Sequence, residues 1–157
     1  GTPVMVQLLI IYNLIFTSRD TNALLVGAVC FGINSGAYVA EIIRAGIESI
    51  DKGQMEAGRS LGYSYWQVMS KIIVPQAVRR MVAPATNEFI SLTKNSSLLS
   101  TITVIELFRE ANTVIATNFK TIEVYIVVAV LYYFTNNLIG LAGTFLEKKL
   151  KTGDELN

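Results

Sequence analysis

The sequence predicts an all-α membrane protein, a bundle of helices that crosses the bilayer several times. Hydrophobic residues make up 52% of the 157 residues and charged residues only 16%, and the mean hydropathy is +0.46. These values are typical of membrane proteins rather than of soluble domains. The apolar residues are concentrated in four stretches, which we predict to be the helices of one transmembrane domain covering residues 1–157: 4–16, 23–43, 81–100 and 124–146.

Residue types that are missing or rare exclude several classes of function. The chain has no histidine, and its formal net charge is only +1. Histidine-based acid–base catalysis and most zinc sites are therefore excluded, and nucleic-acid binding has no electrostatic support. The single cysteine, Cys30, lies in an apolar run and is predicted to be buried and unreactive. Because the sequence contains no glycine-rich phosphate-binding loop, we expect this chain not to hydrolyse nucleotide itself. We predict that it is not an enzyme and that it binds no metal and no cofactor.

The four apolar stretches differ in completeness. The first, residues 4–16, is too short to cross a bilayer alone because about 20 residues are needed, so we expect it to be the end of a longer helix whose first part is missing from this sequence. A polar turn is predicted at 17–22. The second and fourth stretches are full spans. The third is interrupted by polar residues and a proline: Pro84, Asn87, Glu88, Lys94 and Asn95.

The placement of lysine and arginine predicts the orientation in the membrane. If the connection 44–80 and the C-terminus share one side, that side carries Arg44, Lys52, Arg59, Lys71, Arg79, Arg80, Lys148, Lys149 and Lys151. The other side then carries only Arg19, Arg109 and Lys120. Because positive residues accumulate on the cytoplasmic side, we predict that the connection, with a coupling region at about 48–75, and the C-terminus are cytoplasmic.

Two helix-start patterns flank the third span. Ser64 and Gln67 form a capping-box pattern, which predicts a helix that Pro75 ends or kinks. Thr103 and Glu106 form a second such pattern. It precedes apolar residues at helical spacing, which predicts a helix lying along the outer membrane surface.

The second span carries two stripes of residues. Small residues recur at every fourth position, at Ala28, Gly32, Gly36 and Ala40, and predict a face against which another helix packs closely. Asn34, Tyr38 and Glu41 form a polar stripe, which is costly against lipid and is expected to face protein or a water-filled path. Glu41 lies near the cytoplasmic interface and can pair with Arg44, which can also pair with Glu48.

The third span contains the residue that is most costly to place in lipid. Asn87, Ser91 and Lys94 follow helical spacing, and Lys94 falls near the middle of the predicted span. Lys94 is either a residue of a translocation pathway or a structural lysine that binds carbonyls or snorkels outward. Asn136 and Asn137 lie in the fourth span. Asn34, Lys94, Asn95 and Asn136 fall at similar depth on three helices, which fits a translocation site and equally a static hydrogen-bond cluster.

The segment 53–62 is too polar to span a membrane and too short to fold alone. Asp51 can cap its start, and Gly58 and Gly62 indicate a close backbone approach or a sharp exit. An ordinary loop is one alternative. A helix on the lipid surface is another, but it would need a broad apolar face, which this segment lacks. A docking element for a soluble partner fits better.

The sequence around this segment resembles a known family. The residues that carry the resemblance are Glu56-Ala57-Gly58, Gly62 and Ile72-Ile73-Val74-Pro75, at the spacing of the cytoplasmic Glu-Ala-Ala motif in the permease subunits of bacterial binding-protein-dependent ABC importers. Similarity to the polar amino-acid uptake branch extends over essentially the whole chain, with Gly1-Thr2-Pro3, Gln7, the run 34–47, Pro75-Gln76-Ala77, Arg79, Pro84, Asn87, Phe89-Ile90, the run 94–98 and Glu106-Leu107. Gly58 replaces the second alanine of the motif, and Val74 replaces a leucine.

The resemblance implies a type I importer permease fold, a bacterial cell membrane location and a set of partners. These are two cytoplasmic ATPase subunits that bind ATP and Mg²⁺, a second permease subunit and an extracytoplasmic amino-acid-binding protein. It implies contact with the ATPase through Gln54, Glu56, Ala57, Gly58, Ser60, Leu61 and Gly62. Our candidates for the substrate pathway are Asn34, Tyr38, Glu41, Asn87, Glu88, Ser91 and Lys94.

Two other functions compete with the importer. A secondary transporter or channel would explain the polar midspan residues but leaves the cytoplasmic motif unexplained, and a membrane scaffold would need neither. For the importer, the expected substrate is glutamine or another polar amino acid, followed by cystine or a cationic amino acid. We expect Lys94 to meet the substrate carboxylate, and Glu88 or Glu41 its amino group.

Overall fold

The computed structural model describes residues 2–15 and 22–152, and within these two ranges every regular element is helical. This confirms the all-α prediction. The α-helices are α1 Val4–Ile10, α2 Ala23–Glu48, α3 Lys52–Ser60, α4 Tyr65–Val68, α5 Val74–Asn95, α6 Leu107–Asn118 and α7 Thr121–Thr152. π-helical turns cover Ile11–Ile15 and Met69–Ile73, and a 3₁₀ helix covers Ser96–Ile102. Phe16 and most of the predicted polar turn, residues 17–21, lie outside the described residues.

Two of the described helices are long and apolar enough to cross a membrane, Ala23–Glu48 and Thr121–Leu150. They contain the second and fourth predicted spans, and the shorter apolar helix Val4–Leu14 lies where the first was predicted. The third predicted span corresponds to α5 and the 3₁₀ helix after it. Because its charged residues lower the hydropathy, it is not one of the two, and its passage through the membrane stays a prediction.

The described residues form two compact units. The first contains the residues before Ala37 together with Phe89–Leu138. Its core is formed by Leu8 of α1, Val26 and Cys30 of α2, and Leu99 and Ile102 of the 3₁₀ helix. Leu99 lies against Gly27, where a methyl group would collide with its side chain.

The second unit contains Ala37–Glu88 and the described residues from Ile139 onward. Its core is formed by Ile50, Val68, Ile73 and Ala77. Glycines allow the surrounding helices to approach closely. A Cβ at Gly46 in α2 would lie 2.5 Å from Met81 Cγ of α5, and a Cβ at Gly143 in α7 would collide with Thr86 of α5.

Of the two outcomes predicted for Pro75, an end or a kink of the helix, the structure excludes the end. Helical structure continues from α4 through the π-helical turn into α5, and Pro75 is the second residue of α5. The proline ring carries no amide hydrogen, and its neighbour Gln76 donates from its side-chain Nε2 to the Ile72 carbonyl at 2.9 Å. The π-helical turn directly before the proline is wider than an α-helical turn. It accommodates the proline ring and its missing amide hydrogen, which a regular α-helix could not.

The predicted cap at Thr103 is also wrong. Thr103 has a left-handed backbone, with φ of 68°, and terminates the 3₁₀ helix. α6 is capped instead by Glu106, whose carboxylate accepts the amides of Phe108 and Arg109, both at 2.7 Å. A charged carboxylate with two acceptor oxygens satisfies two free amides at the positive end of the helix dipole.

Candidate functional site

The polar segment at 53–62 forms a short, capped helix, α3. Asp51 precedes it, and its carboxylate accepts the Gly53 amide at 2.7 Å, as the sequence predicts. Arg59 lies in the last turn, where a positive charge favours the negative end of the helix dipole. The helix is therefore stabilised locally at both ends.

Gly62 makes a sharp exit from α3. Its φ is +85°, a left-handed conformation that glycine adopts without strain. The Tyr63 amide donates to the Gly58 carbonyl at 3.2 Å, and the Gly62 amide donates to the Arg59 carbonyl at 3.0 Å. These two bonds form a Schellman motif, which ends the helix and turns the chain towards α4.

Gly58 is the inward-facing residue of α3. It is buried, and a Cβ at this position would lie 2.7 Å from Val68 Cγ2. Val68 of α4 belongs to the core of the second unit. The glycine therefore allows α3 to pack directly on α4, where the methyl group of an alanine would collide with Val68.

The other predicted contact residues of α3 face outward. All of the following are exposed: Gln54, Glu56, Ala57, Ser60, Leu61 and Gly62. The Ser60 hydroxyl donates to the Glu56 carbonyl at 2.9 Å, whereas the Glu56 carboxylate has no partner among residues 2–15 and 22–152. The set thus divides into one buried glycine and an exposed, chemically mixed surface.

The capping box at the start of α4 is confirmed. The Gln67 amide donates to Ser64 Oγ at 3.3 Å, and the Ser64 amide donates to Gln67 Oε1 at 2.8 Å. The following aromatic residues, Tyr65 and Trp66, are exposed. Their exposure was not predicted from the sequence, although an aromatic pair beside a cap and away from any apolar stripe was a visible signal.

In the first unit, Asn34 of α2 is hydrogen-bonded to Gln7 of α1. Asn34 is half-buried, and its Nδ2 donates to Gln7 Oε1 at 3.0 Å. Gln7 in turn donates to the Thr2 carbonyl at 3.2 Å and to its hydroxyl at 2.7 Å. Asn34, a predicted pathway residue, therefore belongs to a hydrogen-bonded chain between α1 and α2. Gln7 is part of this chain, although the sequence points to it only through the family resemblance.

Glu41 takes part in the predicted charge pairs at the end of α2. Arg44 donates from Nε to Glu41 Oε2 at 3.1 Å and from Nη1 to Glu48 Oε2 at 3.1 Å. All three side chains are exposed. Tyr38, one turn before Glu41, is exposed as well. This arrangement favours the paired, structural interpretation of Glu41.

The polar residues of α5 have different surroundings. Asn87 is exposed, whereas Glu88 and Ser91 are half-buried. Lys94 lies in the last turn of α5 with an exposed side chain. Its ammonium group has no hydrogen-bond or ion-pair partner within the described part of the chain. Lys94 is therefore the candidate whose charge is available to a ligand.

The first unit contains a second polar group, in which Asn136 was predicted from the sequence as a midspan polar residue and Tyr132 was not. The Tyr132 side chain of α7 lies near the side chains of Glu106, Ser96 and Ser97. One turn further along α7, the Asn136 Oδ1 atom is buried and has no hydrogen-bond partner among the described residues. Tyrosine and asparagine four residues apart in the fourth apolar stretch were the signal.

The sequence profile and the similar proteins point to the same family. Residues 1–152 match the sequence profile of the family described as binding-protein-dependent transport system inner membrane component. Two known proteins are similar over nearly the whole chain. The glutamine transport system permease protein of Escherichia coli (strain K12) is 38% identical over 154 residues, which are 96% of this chain and 70% of that protein. The L-cystine transport system permease protein of Bacillus subtilis (strain 168) is 43% identical over 152 residues, which are 96% of this chain and 65% of that protein.

A solved structure shares the fold. It is the crystal structure of an amino acid ABC transporter with histidines, to which this chain is 39% identical with a TM-score of 0.87. The match covers 95% of this chain and 70% of that one. The chain therefore spans about two thirds of the length of these relatives.

Proposed function

Because this chain belongs to the family of binding-protein-dependent transport system inner membrane components, we propose that it is the transmembrane subunit of an ATP-driven importer for a polar amino acid. The family and the shared fold confirm the resemblance found in the sequence to an ABC importer permease. Glutamine is the expected substrate, supported by the glutamine permease of Escherichia coli among the relatives.

The observation that carries the proposal is α3. It is a short polar helix, capped by Asp51 and ended by the Schellman motif at Gly62. Its buried Gly58 fixes it to α4, while Glu56 and Leu61 face outward. A rigid helix with an exposed polar face between apolar helices is suited to transmit force from a soluble partner.

The partner supplies the energy in this proposal. Two ATPase subunits bind ATP and Mg²⁺, and α3 docks on one of them from the cytoplasmic side, with the C-terminus on the same side. ATP binding biases a two-state helix bundle because the docked helix makes different contacts in the two states. A second permease subunit completes the pathway, and a binding protein delivers the amino acid from outside.

Lys94 is our first candidate for contact with the substrate. Its free ammonium suits the carboxylate that all amino acids carry, while the half-buried Glu88 is a candidate for the substrate amino group. Asn34, Tyr38, Asn87 and Ser91 remain proposed pathway residues. Glu41 is the weakest candidate because Arg44 already neutralises it.

Co-purification tests the docking. The chain is co-expressed with a candidate ABC ATPase subunit, and the complex is purified through a tag on the ATPase. We expect Glu56→Lys to abolish co-purification without unfolding the chain, because the carboxylate makes no internal bond in the described structure. The double variant Glu56→Lys with Gly62→Trp should do the same. The matched control is Glu110→Lys, a charge reversal at an exposed position of α6.

Transport tests the function. In vesicles that contain the assembled complex and binding protein, uptake of radiolabelled glutamine should require ATP on the side of the membrane where the ATPase subunits are bound. Uptake driven by an ion gradient without any ATPase would contradict the proposal. The proposal would also be contradicted if the double variant Glu56→Lys with Gly62→Trp assembled with the ATPase and took up glutamine like the wild type.

A further inference from the structure

A polar pocket opens between the end of the 3₁₀ helix and the first half of α6, in the first unit. Its volume is about 380 Å³, which is in the range of pockets that hold small ligands. The residues that line it are Ser100, Thr101, Arg109, Asn112, Thr113 and Ala116. Neither α3 nor Lys94 contributes to this lining, so the docking and the substrate contact proposed for this chain leave the pocket unexplained.

The pocket contains a half-buried positive charge without a counter-ion. Arg109 is half-buried, and its Nη1 donates to the Ser100 carbonyl at 3.3 Å. No carboxylate pairs with its guanidinium group within residues 2–15 and 22–152. Taking an arginine out of water without a counter-charge is unfavourable, and buried arginines are as a rule paired with an anion. The surroundings of Arg109 are therefore suited to an anion that does not belong to the described part of this chain.

Asn112 adds a second free donor beside this charge. It follows Arg109 by three residues in α6, a spacing that places two side chains next to each other on a helix. The Oδ1 atom of Asn112 accepts the Tyr125 hydroxyl at 2.9 Å. Its Nδ2 group has no acceptor among the described residues, so both of its hydrogens are available to a ligand.

The hydroxyl groups in the lining offer acceptors rather than donors. A hydroxyl has a single hydrogen, and each of the three donates it to a main-chain carbonyl of its own helix, at distances from 2.7 to 3.2 Å. These hydroxyls belong to Ser100, Thr101 and Thr113. The donors that remain for a ligand are therefore the guanidinium group of Arg109 and the amide of Asn112.

These donors match a carboxylate better than a phosphate. The planar guanidinium fork binds the two oxygens of a carboxylate in a bidentate manner, and a neighbouring amide adds a further hydrogen bond. A phosphate group carries three acceptor oxygens, and the third would meet the hydroxyl oxygens of the lining instead of a donor. The lining contains no acidic side chain, so an ammonium group on the ligand finds no ion-pair partner in the pocket.

We propose that Arg109 and Asn112 form a carboxylate-binding site in this pocket, which recognises its ligand through the carboxylate alone. On the predicted outer side of the membrane, the carboxylate comes from a free amino acid or from an acidic side chain of the extracytoplasmic binding protein. The second source rests on the proposed function, whereas the site itself does not. The site is distinct from Lys94, which lies in the last turn of α5 and outside the lining.

Nitrogen NMR of the arginine side chains tests the site in the full chain purified in detergent. The Nε signal of Arg109 is assigned by its loss in Arg109→Lys. It is followed during titration with N-acetylglutamine, which has a carboxylate and no ammonium group, and with glutamine amide, which has an ammonium group and no carboxylate. We expect a saturable shift with the first compound and none with the second. Arg59 is the matched control, because its Nη1 also donates to a main-chain carbonyl at 3.3 Å but its side chain is exposed.

A substitution of Asn112 separates recognition from folding. Asn112→Asp keeps an oxygen that accepts the Tyr125 hydroxyl, but it replaces the free amide donor with a negatively charged oxygen. We expect N-acetylglutamine to bind this variant at least about tenfold more weakly, because a hydrogen bond to a charged group is lost and a repulsion is added. Asn118→Asp makes the same change at an exposed position of α6 outside the pocket and should bind like the wild type. Equal affinity of Asn112→Asp and the wild type would overturn the inference.

Two further titrations identify the source of the carboxylate, and either positive result supports the inference. A shift of the Arg109 signal with glutamine in the Lys94→Met variant identifies the free amino acid, and a shift with the amino-acid-free binding protein identifies an acidic side chain. Equal shifts of Arg59 and Arg109 mean a general attraction of anions, and tighter binding of inorganic phosphate than of N-acetylglutamine means a phosphate site. Both results overturn the inference. A specific shift at Arg109 without ATP-dependent uptake by the assembled complex overturns the proposed function and leaves the site intact.

Discussion

Arg80 of α5 donates a hydrogen bond from its Nη1 to the main-chain carbonyl of Ser49, which precedes it by 31 residues. Ser49 directly follows the last residue of α2, so the guanidinium caps the negative end of that helix. At the next position of α5, Met81 fills the space beside Gly46. The end of α2 is therefore bound to α5 just before the chain enters α3.

Removing this bond should uncouple ATP hydrolysis from transport. We expect Arg80→Gln to leave the ATPase bound but to lower the amount of substrate carried per ATP several-fold, because a neutral amide cannot reach and stabilise the end of α2 as well; the lost bond is worth about 1 kcal/mol. The ratio of uptake to hydrolysis is measured in proteoliposomes. Arg80→Lys should restore part of the ratio, and Lys149→Gln, which removes an exposed charge near the end of α7, should leave it unchanged.

The close contact between α3 and α4 predicts an interaction between two substitutions. Gly58→Ala improves helix propensity by about 1 kcal/mol, but its methyl group collides with Val68, which costs about 1–3 kcal/mol. We expect the single variant to be no more stable than the wild type, and Gly58→Ala with Val68→Ala to be more stable than Val68→Ala alone. Thermal unfolding in detergent gives the four values. Additive effects would contradict the contact.

Lys94 should matter for transport and little for assembly. We expect Lys94→Met to lower uptake at least about tenfold, because the substrate carboxylate loses a charge-assisted hydrogen bond, while ATPase co-purification stays normal. The measurement is uptake of radiolabelled glutamine. Lys120→Met, which removes an exposed lysine before α7, is the control. Normal uptake by Lys94→Met would support the structural interpretation of this lysine instead.

The cap of α6 can be tested by two substitutions that distinguish Glu106 from Thr103. We expect Glu106→Ala to destabilise the start of α6 by about 1 kcal/mol, because two helix amides lose their acceptor. Hydrogen exchange at Phe108 and Arg109 should then become faster. Thr103→Ala should leave exchange at these amides unchanged. The opposite result would restore Thr103 as the cap.

The first residue of a helix could be predicted wherever a single capping side chain determines where the helix begins. Asp51 and Ser64 cap α3 and α4 as the sequence predicts, because a short polar side chain reaches its own helix amides in any surroundings. The role of Glu106 was not predicted, because Thr103 and Glu106 together form a capping-box pattern in which Thr103 is the cap. Only the left-handed backbone of Thr103, which depends on the preceding 3₁₀ helix, decides between them.

Tertiary contacts were harder to predict. The stripe at Gly32 and Gly36 faces open space in the described structure, whereas Gly27 and Gly46 lie against neighbouring side chains. All four are small residues in one apolar helix, and periodicity alone does not reveal which face a neighbour occupies. For the same reason the bond from Arg80 to Ser49 could not be inferred, because it joins residues that are far apart in the sequence.

The π-helical turn at Met69–Ile73 has a consequence for how the two ends of the long helix are aimed. A π-turn contains about one residue more than an α-turn, and one residue corresponds to about 100° of rotation about the axis. Removing that residue would restore a uniform helix and rotate α4, with Val68 and the attached α3, by about a quarter turn relative to α5. The extra residue therefore sets the azimuth at which this chain presents its cytoplasmic surface, independently of the side chains on that surface.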